Sequence, residues 1–466
     1  MSFSTLILAA GEGTRMNSSR AKVTFKLLDK PMIRWVVDAA KEAGSTEVLS
    51  VVGFARNQVE PLLADTTIIV QEERLGTGHA LMMASEALAR EGMPSSLVVL
   101  CGDVPLITSS TISLLVATQQ QSNAAISLLT FKLENPYGYG RVVRSEPDRL
   151  NGENPGSVIR IVEEKDATDE DKTIKECNSG IYCFDRQVLL DNLSELTNDN
   201  TQGEYYLTDL IGICVTKGLT VSAQIVDAEE VQGINTRVQL AQATKSIQHR
   251  INTRHMEAGV TMLSPDLVWI GPDVQLENDT ELLPLTILYG KTSVASGSII
   301  GPNTRVTNSI IGHDCLVDES VLIDVTLEDR VKCGPRALLR PGTVMKAGSK
   351  AGTHVEIKKS IVGEGSKVPH LSYLGDTTLG VDVNIGAGTI TCNYDGFKKS
   401  PTIIGDRAFI GSDTMMVAPV TIGADTVTGA GSVITRDVPD GALAVERAEQ
   451  KIVDGWTAKR RKGSSQ

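Results

Sequence analysis

Two stretches in the first half of the chain contain residue types that are typical of phosphate-binding sites. The apolar stretch 4–10 runs directly into Gly11-Glu12-Gly13-Thr14-Arg15, and a strand that ends in a glycine turn brings backbone N–H groups close to phosphates in α/β proteins. A second apolar stretch, 96–100, is followed by Cys101-Gly102-Asp103. A carboxylate just beyond the end of a parallel strand lies in the crevice where such folds bind ligands. Beside a phosphate loop, this carboxylate predicts Mg²⁺, which prefers oxygen ligands.

Both motifs also have plainer interpretations. The glycine stretch could be an ordinary tight turn between a strand and a helix. It is not the dinucleotide-binding fingerprint, because Met16 stands at the position of the third glycine, and it lacks the Gly-Lys-Ser/Thr of a P-loop. Asp103 could cap the helix that follows, but Thr108 and Ser109 are better placed for that role.

In the second half of the chain, the candidate for acid–base chemistry is His370. Histidine titrates in the range needed to take a proton from an amine that attacks a thioester, and a positioned base of this kind contributes about 10²–10⁴-fold to the rate. A lone histidine is more often structural, and His354 is interpreted that way. His249 and His255 have no acidic or cysteine neighbours at ligand spacing, so both are predicted to be surface residues.

The first half alternates between predicted strands and helices in the manner of a doubly wound, Rossmann-like sheet. Strands are predicted over 4–10, 47–52, 67–70 and 96–100, and helices from Pro31, over 59–63 and over 78–89. A polar helix is predicted from Asn235 to His255, and a helix of about 20 residues would span about 30 Å between domains.

A period of six residues organises the second half. It is carried by Ile404, Ile410, Met416, Ile422, Thr428 and Ile434, four of which are followed directly by glycine. This period fits neither an amphipathic helix nor an alternating strand. It is typical of a chain that turns a corner every six residues with one side chain pointing inward, and it predicts a hexapeptide β-helix. The six-residue repeat is irregular between Ile300 and Ile311, where the step is eleven residues and not twelve. The polar stretch 393–400 interrupts the repeat, and it is either a tolerated insertion or the edge of a site.

The composition indicates a globular, cytoplasmic protein. The 466 residues suffice for two to three domains, and there is neither a signal segment nor an apolar run long enough to span a membrane. Seven cysteines without a Cys-x-x-Cys pair argue against a disulfide framework and a zinc site. The net charge of −12 disfavours nucleic acid as a partner, and the basic run 459–462 is interpreted as a solvated end.

Taken in order, the motifs resemble a known family. The first half contains Leu8-Ala9-Ala10-Gly11-x-Gly-Thr-Arg-Met16, Lys22, Gln71, Leu75-Gly76-Thr77-Gly78-His79, Gly102-Asp103-Val104-Pro105-Leu106, Tyr139-Gly140-Arg141, Glu163-x-Lys165-Asp166-Ala167-Thr168, Asn178-x-Gly180 and Gly203-Glu204-Tyr205-Tyr206-Leu207-Thr208-Asp209. The second half contains Leu339-Arg340-Pro341-Gly342, Val355-Glu356-x-Lys358-Lys359, His370-x-x-Tyr373-Leu374-Gly375-Asp376, Asn384-Ile385-Gly386-Ala387-Gly388, Asn393-Tyr394-Asp395-Gly396 and Gly411-Ser412-Asp413. Over nearly the whole chain they resemble the sugar-1-phosphate nucleotidyltransferases, and among them the bifunctional family that joins an N-acetylglucosamine-1-phosphate uridyltransferase to a glucosamine-1-phosphate acetyltransferase.

The resemblance implies an enzyme that makes UDP-N-acetylglucosamine for bacterial cell-envelope synthesis. It implies a uridyltransferase domain over 1–232, a linking helix over 233–255 and an acetyltransferase domain over 256–466 that is a left-handed parallel β-helix of hexapeptide repeats. The implied substrates are UTP, N-acetylglucosamine 1-phosphate, glucosamine 1-phosphate and acetyl-CoA, with Mg²⁺ as cofactor. The family also implies a homotrimer that binds neither nucleic acid nor membrane.

The resemblance further implies a role for each matching residue. Arg15, Lys22 and His370 are implied to be catalytic, and Asp103 and Asn235 to bind Mg²⁺. UTP and the N-acetylglucosamine part would be bound by Leu8, Ala9, Ala10, Gly11, Lys22, Gln71, Gly76, Thr77, Cys101, Gly102, Asp103, Gly140, Glu163, Asn178 and Asn235. Glucosamine 1-phosphate would be bound by Arg340, Lys358, Tyr373, Asn384 and Lys399, and acetyl-CoA by Ala387, Asn393, Tyr394, Ser412, Ala430 and Arg447.

Two departures from the family pattern and two alternative functions accompany this interpretation. Cys101 stands where the family often has tyrosine, and Ser19-Arg20-Ala21 precedes Lys22 without the usual proline, which predicts a less rigid loop. One alternative is a single-activity nucleotidyltransferase whose β-helix serves only assembly, and His370 with the stretch 393–400 argues against it. The other is a non-catalytic sugar-nucleotide-binding scaffold, which the cations and carboxylate of the first half disfavour.

Overall fold

The computed structural model describes residues 2–145 and 156–463. The chain divides into two units, Met1–Ile247 and Gln248–Gln466, which we call the α/β unit and the β-helix unit. The division falls inside one helix. The helices are α1 (Met32–Glu42), α2 (Arg56–Val59), α3 (Thr77–Leu88), α4 (Ser109–Ser122), α5 (Arg186–Asn192), α6 (Asp209–Thr216), α7 (Ala228–Val231), α8 (Arg237–Glu257) and α9 (Trp456–Gly463).

The α/β unit is built on a nine-stranded sheet. Its strands, with a short separate hairpin of β2 and β3, are β1 (Phe3–Ala9), β2 (Lys26–Leu27), β3 (Lys30–Pro31), β4 (Val48–Val52), β5 (Thr67–Val70), β6 (Ser96–Cys101), β7 (Ile126–Lys132), β8 (Arg141–Arg144), β9 (Val158–Val162), β10 (Glu176–Asp185) and β11 (Val221–Ile225). The strand order is β11-β7-β10-β6-β1-β4-β5, with β8 and β9 attached to β10. The central strands pair in parallel, and β10 runs antiparallel to both of its neighbours.

The alternation of side chains along β1 explains why helices cover both faces of this sheet. Leu6 and Ile7 are both fully buried, and each belongs to a different hydrophobic cluster. Successive side chains of a strand point to opposite faces, so both faces need a covering layer. The predicted doubly wound class is confirmed. The helix predicted over 59–63 begins earlier, at Arg56, and continues as a single 3₁₀ turn over Glu60–Leu62.

The β-helix unit consists of three parallel sheets wrapped around one core. Face 1 contains Thr261–Met262, Glu281–Leu282, Ile299–Ile300, Leu316–Val317, Lys332–Cys333, Lys350–Thr353, Lys367–His370, Asn384–Ile385, Phe409–Ile410, Val427–Thr428 and Leu443–Ala444. Face 2 contains Val268–Ile270, Thr286–Tyr289, Arg305–Thr307, Val321–Ile323, Leu338–Leu339, Glu356–Lys358, Tyr373–Gly375, Ile390–Cys392, Met415–Val417 and Val433–Ile434. Face 3 contains Gln275–Leu276, Ser293–Val294, Ile310–Ile311, Thr326–Leu327, Val344–Met345, Ile361–Val362, Thr377–Leu379, Thr402–Ile404 and Val420–Ile422.

The register of the coils accounts for the irregular step between Ile300 and Ile311. On face 1, Leu282 pairs with Ile300 and Ile300 with Val317, so one coil is a residue shorter than the other. The short coil keeps its inward side chains aligned, because Ile300, Ile311 and Val317 are all buried. The predicted left-handed β-helix of hexapeptide repeats is confirmed.

The prediction that His255 is a surface residue is wrong. His249 is exposed as predicted, but His255 is only 7 % exposed, and within the described part of the chain its Nε2 has no hydrogen-bond partner. It shares a helix face with Gln248 and Asn252, whose side-chain amides donate to the Val268 carbonyl at 2.7 Å and 2.9 Å. Burial lowers the pKa of His255 to about 4. The sequence did not predict this buried face of α8, because its inward side chains are mostly polar amides and an imidazole.

Across residues 2–145 and 156–463, none of the helices combines the length and the apolarity that crossing a membrane requires.

Candidate active sites

A cavity of about 500 Å³ lies where β1, β5 and β6 end. The carboxyl ends of parallel strands meet at one edge of a sheet, so the loops after them surround a common space. Most of the residues predicted to bind UTP line this cavity: Leu8, Ala9, Ala10, Gly11, Lys22, Gln71, Gly76, Thr77, Cys101 and Asp103. The structure therefore brings together segments that are far apart in the sequence.

One wall of the cavity carries groups that suit the edge of a nucleobase. Gln71 is 3 % exposed, and its Nε2 donates to the Gly76 carbonyl at 3.1 Å and lies 3.0 Å from Nδ1 of His79. Gly76 has a φ of 101°, and a Cβ there would lie 2.6 Å from the Tyr205 carbonyl oxygen. Only glycine fits this loop, because the segment around Tyr205 packs directly against it.

The predicted charge-handling residues Lys22, Asp103 and Asn235 lie together, and Lys22 and Asp103 line the cavity. Lys22 Nζ lies 2.5 Å from Asp103 Oδ2 and donates to Asn235 Oδ1 at 2.9 Å. The Ile234 amide donates to the Asp103 carbonyl at 2.9 Å, which ties the two oxygen-bearing segments together. Thr108, not Asp103, caps α4 by accepting a hydrogen bond from the Thr111 amide. The alternative interpretation of Asp103 as the cap of this helix is therefore wrong.

The residues predicted to bind the N-acetylglucosamine part also lie together. The Asn178 amide donates to the Gly140 carbonyl at 2.9 Å, and a Cβ on Gly140 would lie 3.4 Å from the carboxylate oxygens of Glu163. Thr208 donates to Glu163 Oε1 at 3.3 Å. Burial raises the pKa of Glu163, as expected for a carboxylate held away from water.

Three predicted residues of this unit need separate description. Arg15 is exposed on a single 3₁₀ turn, Thr14–Met16, and is not among the residues that line the cavity. Gly102 is buried behind the lining. Cys101 is half-buried, lies with its Sγ 3.6 Å from the Gly180 carbonyl, and has its pKa raised by burial to about 12. A thiol in this state is a small apolar contact and not a nucleophile.

The loop before Lys22 is held in place without the proline of the family pattern. The Ala21 amide donates to Oε1 of Gln58 at 3.0 Å, and the Arg20 guanidinium lies 4.6 Å from the centre of the Phe25 ring. Lys22 then begins a 3₁₀ turn that runs to Thr24. These contacts fix the position that the missing proline would have stiffened.

Sequence reasoning missed three charged residues that line the cavity, Glu12, Arg74 and Glu204. Arg74 pairs with Glu12 at 2.8 Å, which links the loop after β5 to the glycine turn. Its position between Gln71 and Gly76 was a signal that could have identified it. Glu204 belongs to a segment that the resemblance quoted without assigning a role to this side chain.

In the β-helix unit, the predicted phosphate-binding residues form a basic cluster on face 2. Arg340 pairs with Glu356 at 2.7 Å, and Lys358 follows on the same strand. The Lys399 ammonium contacts Lys358 and lowers its pKa, and the charge of Arg340 adds to this effect. Cations that repel one another in the free protein are arranged to receive an anion between them.

Tyr373 and Asn393 approach each other across Gly375. A Cβ on Gly375 would lie 2.5 Å from both the Tyr373 hydroxyl and the Asn393 amide nitrogen. The amide donates to Asp376 Oδ2 at 2.7 Å. The glycine is required here because two side chains occupy the space of its missing Cβ.

His370 and Asn384 lie on neighbouring strands of face 1. Lys367 pairs with Asn384, and His370 ends the strand that begins at Lys367. His370 is exposed and Asn384 half-buried. In this position the imidazole is accessible to a substrate from outside the coil stack.

The residues predicted to bind acetyl-CoA follow the same side of later coils. Ala387 is half-buried, Ser412 and Ala430 are exposed, and Arg447 donates to the Ala430 carbonyl at 3.3 Å. Asn393 is buried, whereas the next residue, Tyr394, is exposed in the insertion after face 2.

These two arrangements define a class of protein: a nucleotidyltransferase unit joined to a hexapeptide-repeat acyltransferase unit. The family of MobA-like NTP transferase domains matches residues 5–168. The bacterial transferase hexapeptide family, with six repeats, matches residues 401–436.

Full-length relatives identify the particular family. The chain is 48% identical over 457 residues to the bifunctional protein GlmU of Caldanaerobacter subterraneus, a match that covers 98% of each chain. It is 47% identical over 461 residues to that of Heliobacterium modesticaldum, again with 98% of each chain covered. The match to the Carboxydothermus hydrogenoformans protein is 48% over 447 residues and covers 96% of this chain and 98% of the relative. The chain belongs to the family of bifunctional GlmU proteins, and it has the uridyltransferase and acetyltransferase activities that the sequence predicted.

Proposed function

We propose that the residues around the 500 Å³ cavity couple N-acetylglucosamine 1-phosphate to UTP. The observation that carries this proposal is the meeting of Lys22, Asp103 and Asn235 beside the Gln71 wall. Gln71, Gly76 and Thr77 bind the uracil, while Gly11, Arg15 and Lys22 hold the triphosphate. Gly140, Glu163 and Asn178 bind the sugar. The sugar phosphate oxygen attacks the α-phosphorus of UTP, and pyrophosphate leaves with the electrons of the broken P–O bond.

We propose that Asp103 and Asn235 hold Mg²⁺ in this reaction. A cation already fits between them, because the Lys22 ammonium lies within 2.9 Å of both oxygens. One carboxylate and one amide are few ligands, as Mg²⁺ prefers when it also binds phosphate oxygens and water. When bound, the ion neutralises charge that develops on the phosphates. The chain's own contribution is to orient both oxygens through the backbone contact between Ile234 and Asp103.

For the β-helix unit, we propose that His370 is the general base of acetyl transfer. Arg340, Lys358 and Lys399 bind the phosphate of glucosamine 1-phosphate, and Tyr373 and Asn384 orient the sugar. His370 takes the proton as the amine attacks the thioester carbonyl of acetyl-CoA, and the thiol of CoA leaves. Ala387, Asn393, Tyr394, Ser412, Ala430 and Arg447 form the acetyl-CoA side of the site.

We propose a homotrimer assembled through the β-helix unit. The outward positions of face 3 form a row in which Ile310, Ile361 and Ile403 are 56%, 41% and 48% exposed. An aligned row of exposed aliphatic side chains is typical of a surface that another chain covers. The variants Ile361→Glu and Ile403→Glu should lower the mass measured by sedimentation, whereas Val238→Glu, an exposed apolar position on α8, should not. A cytoplasmic location stays a prediction.

Two reciprocal variants test the proposed assignment of both activities. Asp103→Asn should lower uridylyl transfer by about 10²–10³-fold and leave acetyl transfer unchanged. His370→Ala should lower acetyl transfer by about 10²–10⁴-fold and leave uridylyl transfer unchanged. Because each variant is expected to keep one of the two activities, that activity shows that the variant protein is folded. Acetyl transfer that survives His370→Ala would support a β-helix that serves assembly only.

A further inference from the structure

The position of Lys22 suggests more than a phosphate contact. Its ammonium lies between Asp103 Oδ2 and Asn235 Oδ1, at 2.5 Å and 2.9 Å, which are the oxygens assigned to the metal. The two side chains of the ion pair are mostly buried, with 12% of Lys22 and 20% of Asp103 exposed. A lysine ammonium and a metal ion cannot both occupy this space.

We propose that Lys22 is a placeholder for the divalent cation, and that metal binding moves its ammonium to the triphosphate. This inference rests on the proposed function, since it concerns the same oxygens. In the metal-free protein, Lys22 keeps a half-buried carboxylate paired. When the ion arrives, the ammonium loses this position and becomes available for phosphate oxygens.

The geometry around the lysine allows this exchange. The stem is fixed, because Gly13, with a φ of 68°, lies so close that a Cβ there would be 2.6 Å from Lys22 Cβ. Lys22 is among the residues that line the 500 Å³ cavity, as are Gly11 and Arg74. Rotation about the terminal bonds therefore carries the ammonium from the carboxylate into the space assigned to the triphosphate, without backbone movement.

The exchange makes an unusual prediction for metal affinity in the absence of nucleotide. Removing a competitor should strengthen binding, so Lys22→Met should bind Mn²⁺ about tenfold more tightly or better, in line with the loss of a charge-assisted hydrogen bond. Binding is measured on the full chain by the electron paramagnetic resonance signal of free Mn²⁺. Arg15→Met is the matched control, because it removes a nearby cation that contacts neither metal oxygen, and Asp103→Ala should abolish the site.

The outcomes separate the possible roles of Lys22. Unchanged affinity in Lys22→Met would mean that the lysine serves the triphosphate only, and weaker affinity would mean that it merely positions Asp103; either result overturns the exchange. Loss of uridylyl transfer in Asp103→Asn tests the proposed function independently, so that proposal can stand when this one fails.

A second measurement needs no variant and so does not depend on its folding. Lys22 in the unaltered protein can be acetylated with a water-soluble active ester, and the extent of modification followed by mass spectrometry. Adding Mg²⁺ should raise the modification of Lys22 several-fold, because its ammonium leaves the carboxylate, while Lys217, whose ammonium pairs with Glu195, should not change. Equal modification of Lys22 with and without Mg²⁺ would contradict the exchange.

Discussion

The α/β unit surrounds its candidate residues, whereas the β-helix unit presents its own on an outer surface. In the α/β unit, Lys22, Asp103 and Gln71 come from separate loops that close around a cavity. In the β-helix unit, His370 lies exposed at the end of a strand of face 1, and Tyr394 and Lys399 lie exposed in the insertion 393–400.

The difference follows from how each fold arranges its side chains. Loops at the carboxyl ends of parallel strands converge, so a doubly wound sheet builds an enclosed site within one chain. A solenoid points each side chain either into its core or away from it, so the β-helix unit arranges its candidate residues in rows on the outside of the coil stack.

The largest expected effect concerns a partly buried ion pair next to the sugar-binding residues. Arg141 is 2 % exposed and lies 2.7 Å from Glu164, which is 21% exposed, and Arg141 follows Gly140 in the sequence. Removing Glu164 should therefore cost less than the about 3–5 kcal/mol of a fully buried pair, but more than the loss of an exposed one. In Glu164→Gln, we therefore expect a lower free energy of unfolding of the α/β unit. The KM for N-acetylglucosamine 1-phosphate should rise by a larger factor than the KM for UTP.

The β-helix unit supplies a matched control for this pair. Arg407 and Asp425 form a two-pronged pair at 2.7 Å, but both are more than half exposed. Because solvent screens an exposed pair, Asp425→Asn should leave the free energy of unfolding nearly unchanged, as measured with denaturant. A similar loss of unfolding free energy in both variants would show that burial does not determine how much each ion pair contributes.

The next largest effect is expected at Gly375, where the exposed site depends on close packing. Gly375→Ala should displace the Tyr373 hydroxyl and the Asn393 amide and lower acetyl transfer by roughly ten- to a hundredfold, with uridylyl transfer unchanged. Gly212→Ala is the control, since none of the described residues outside its own helix backbone places an atom within 4 Å of the missing Cβ. Full acetyl transfer in Gly375→Ala would mean that neither side chain needs its present position.

A smaller effect is expected from His255, the buried titratable group of the β-helix unit. Its pKa is lowered from the ordinary 6.5 to about 4 by burial, so the unfolded chain binds the proton more readily. Stability is therefore intact above about pH 6.5 and falls as the pH drops toward 4, by at most about 1.4 kcal/mol per pH unit. Comparing the wild type with His255→Phe in melting experiments between pH 7 and 4.5 should show a shallower loss in the variant. Parallel curves would indicate that His255 titrates normally.

The smallest effect is expected in the basic cluster. Because Lys399 lowers the pKa of Lys358, Lys358 loses its charge at a lower pH than an ordinary lysine. Binding of glucosamine 1-phosphate to the acetyltransferase site should weaken correspondingly early as the pH rises. In Lys399→Met the decline should move to higher pH, as measured by calorimetry on an Asp103→Asn background that weakens the other site. If binding weakens at the same pH in Lys399→Met, Lys399 does not lower the pKa of Lys358.

The sequence by itself determined the architecture of both units. Period-six aliphatic residues with glycines predict a β-helix because only a corner at each sixth residue aligns them inside, and the core confirms this. The alternation of short apolar strands and helices predicts the doubly wound sheet for the same reason, since both depend on local periodicity. The ordered motifs also predicted most of the residues that line the cavity.

Only the tertiary structure decided contacts between distant segments. The sequence separates Lys22 from Asn235 by most of the α/β unit, and nothing in its local pattern indicates that the lysine ammonium lies between Asp103 and Asn235. It also could not reveal that His255 is buried. Periodicity specifies which face of an element is apolar, but which polar groups meet across a fold depends on how the elements pack.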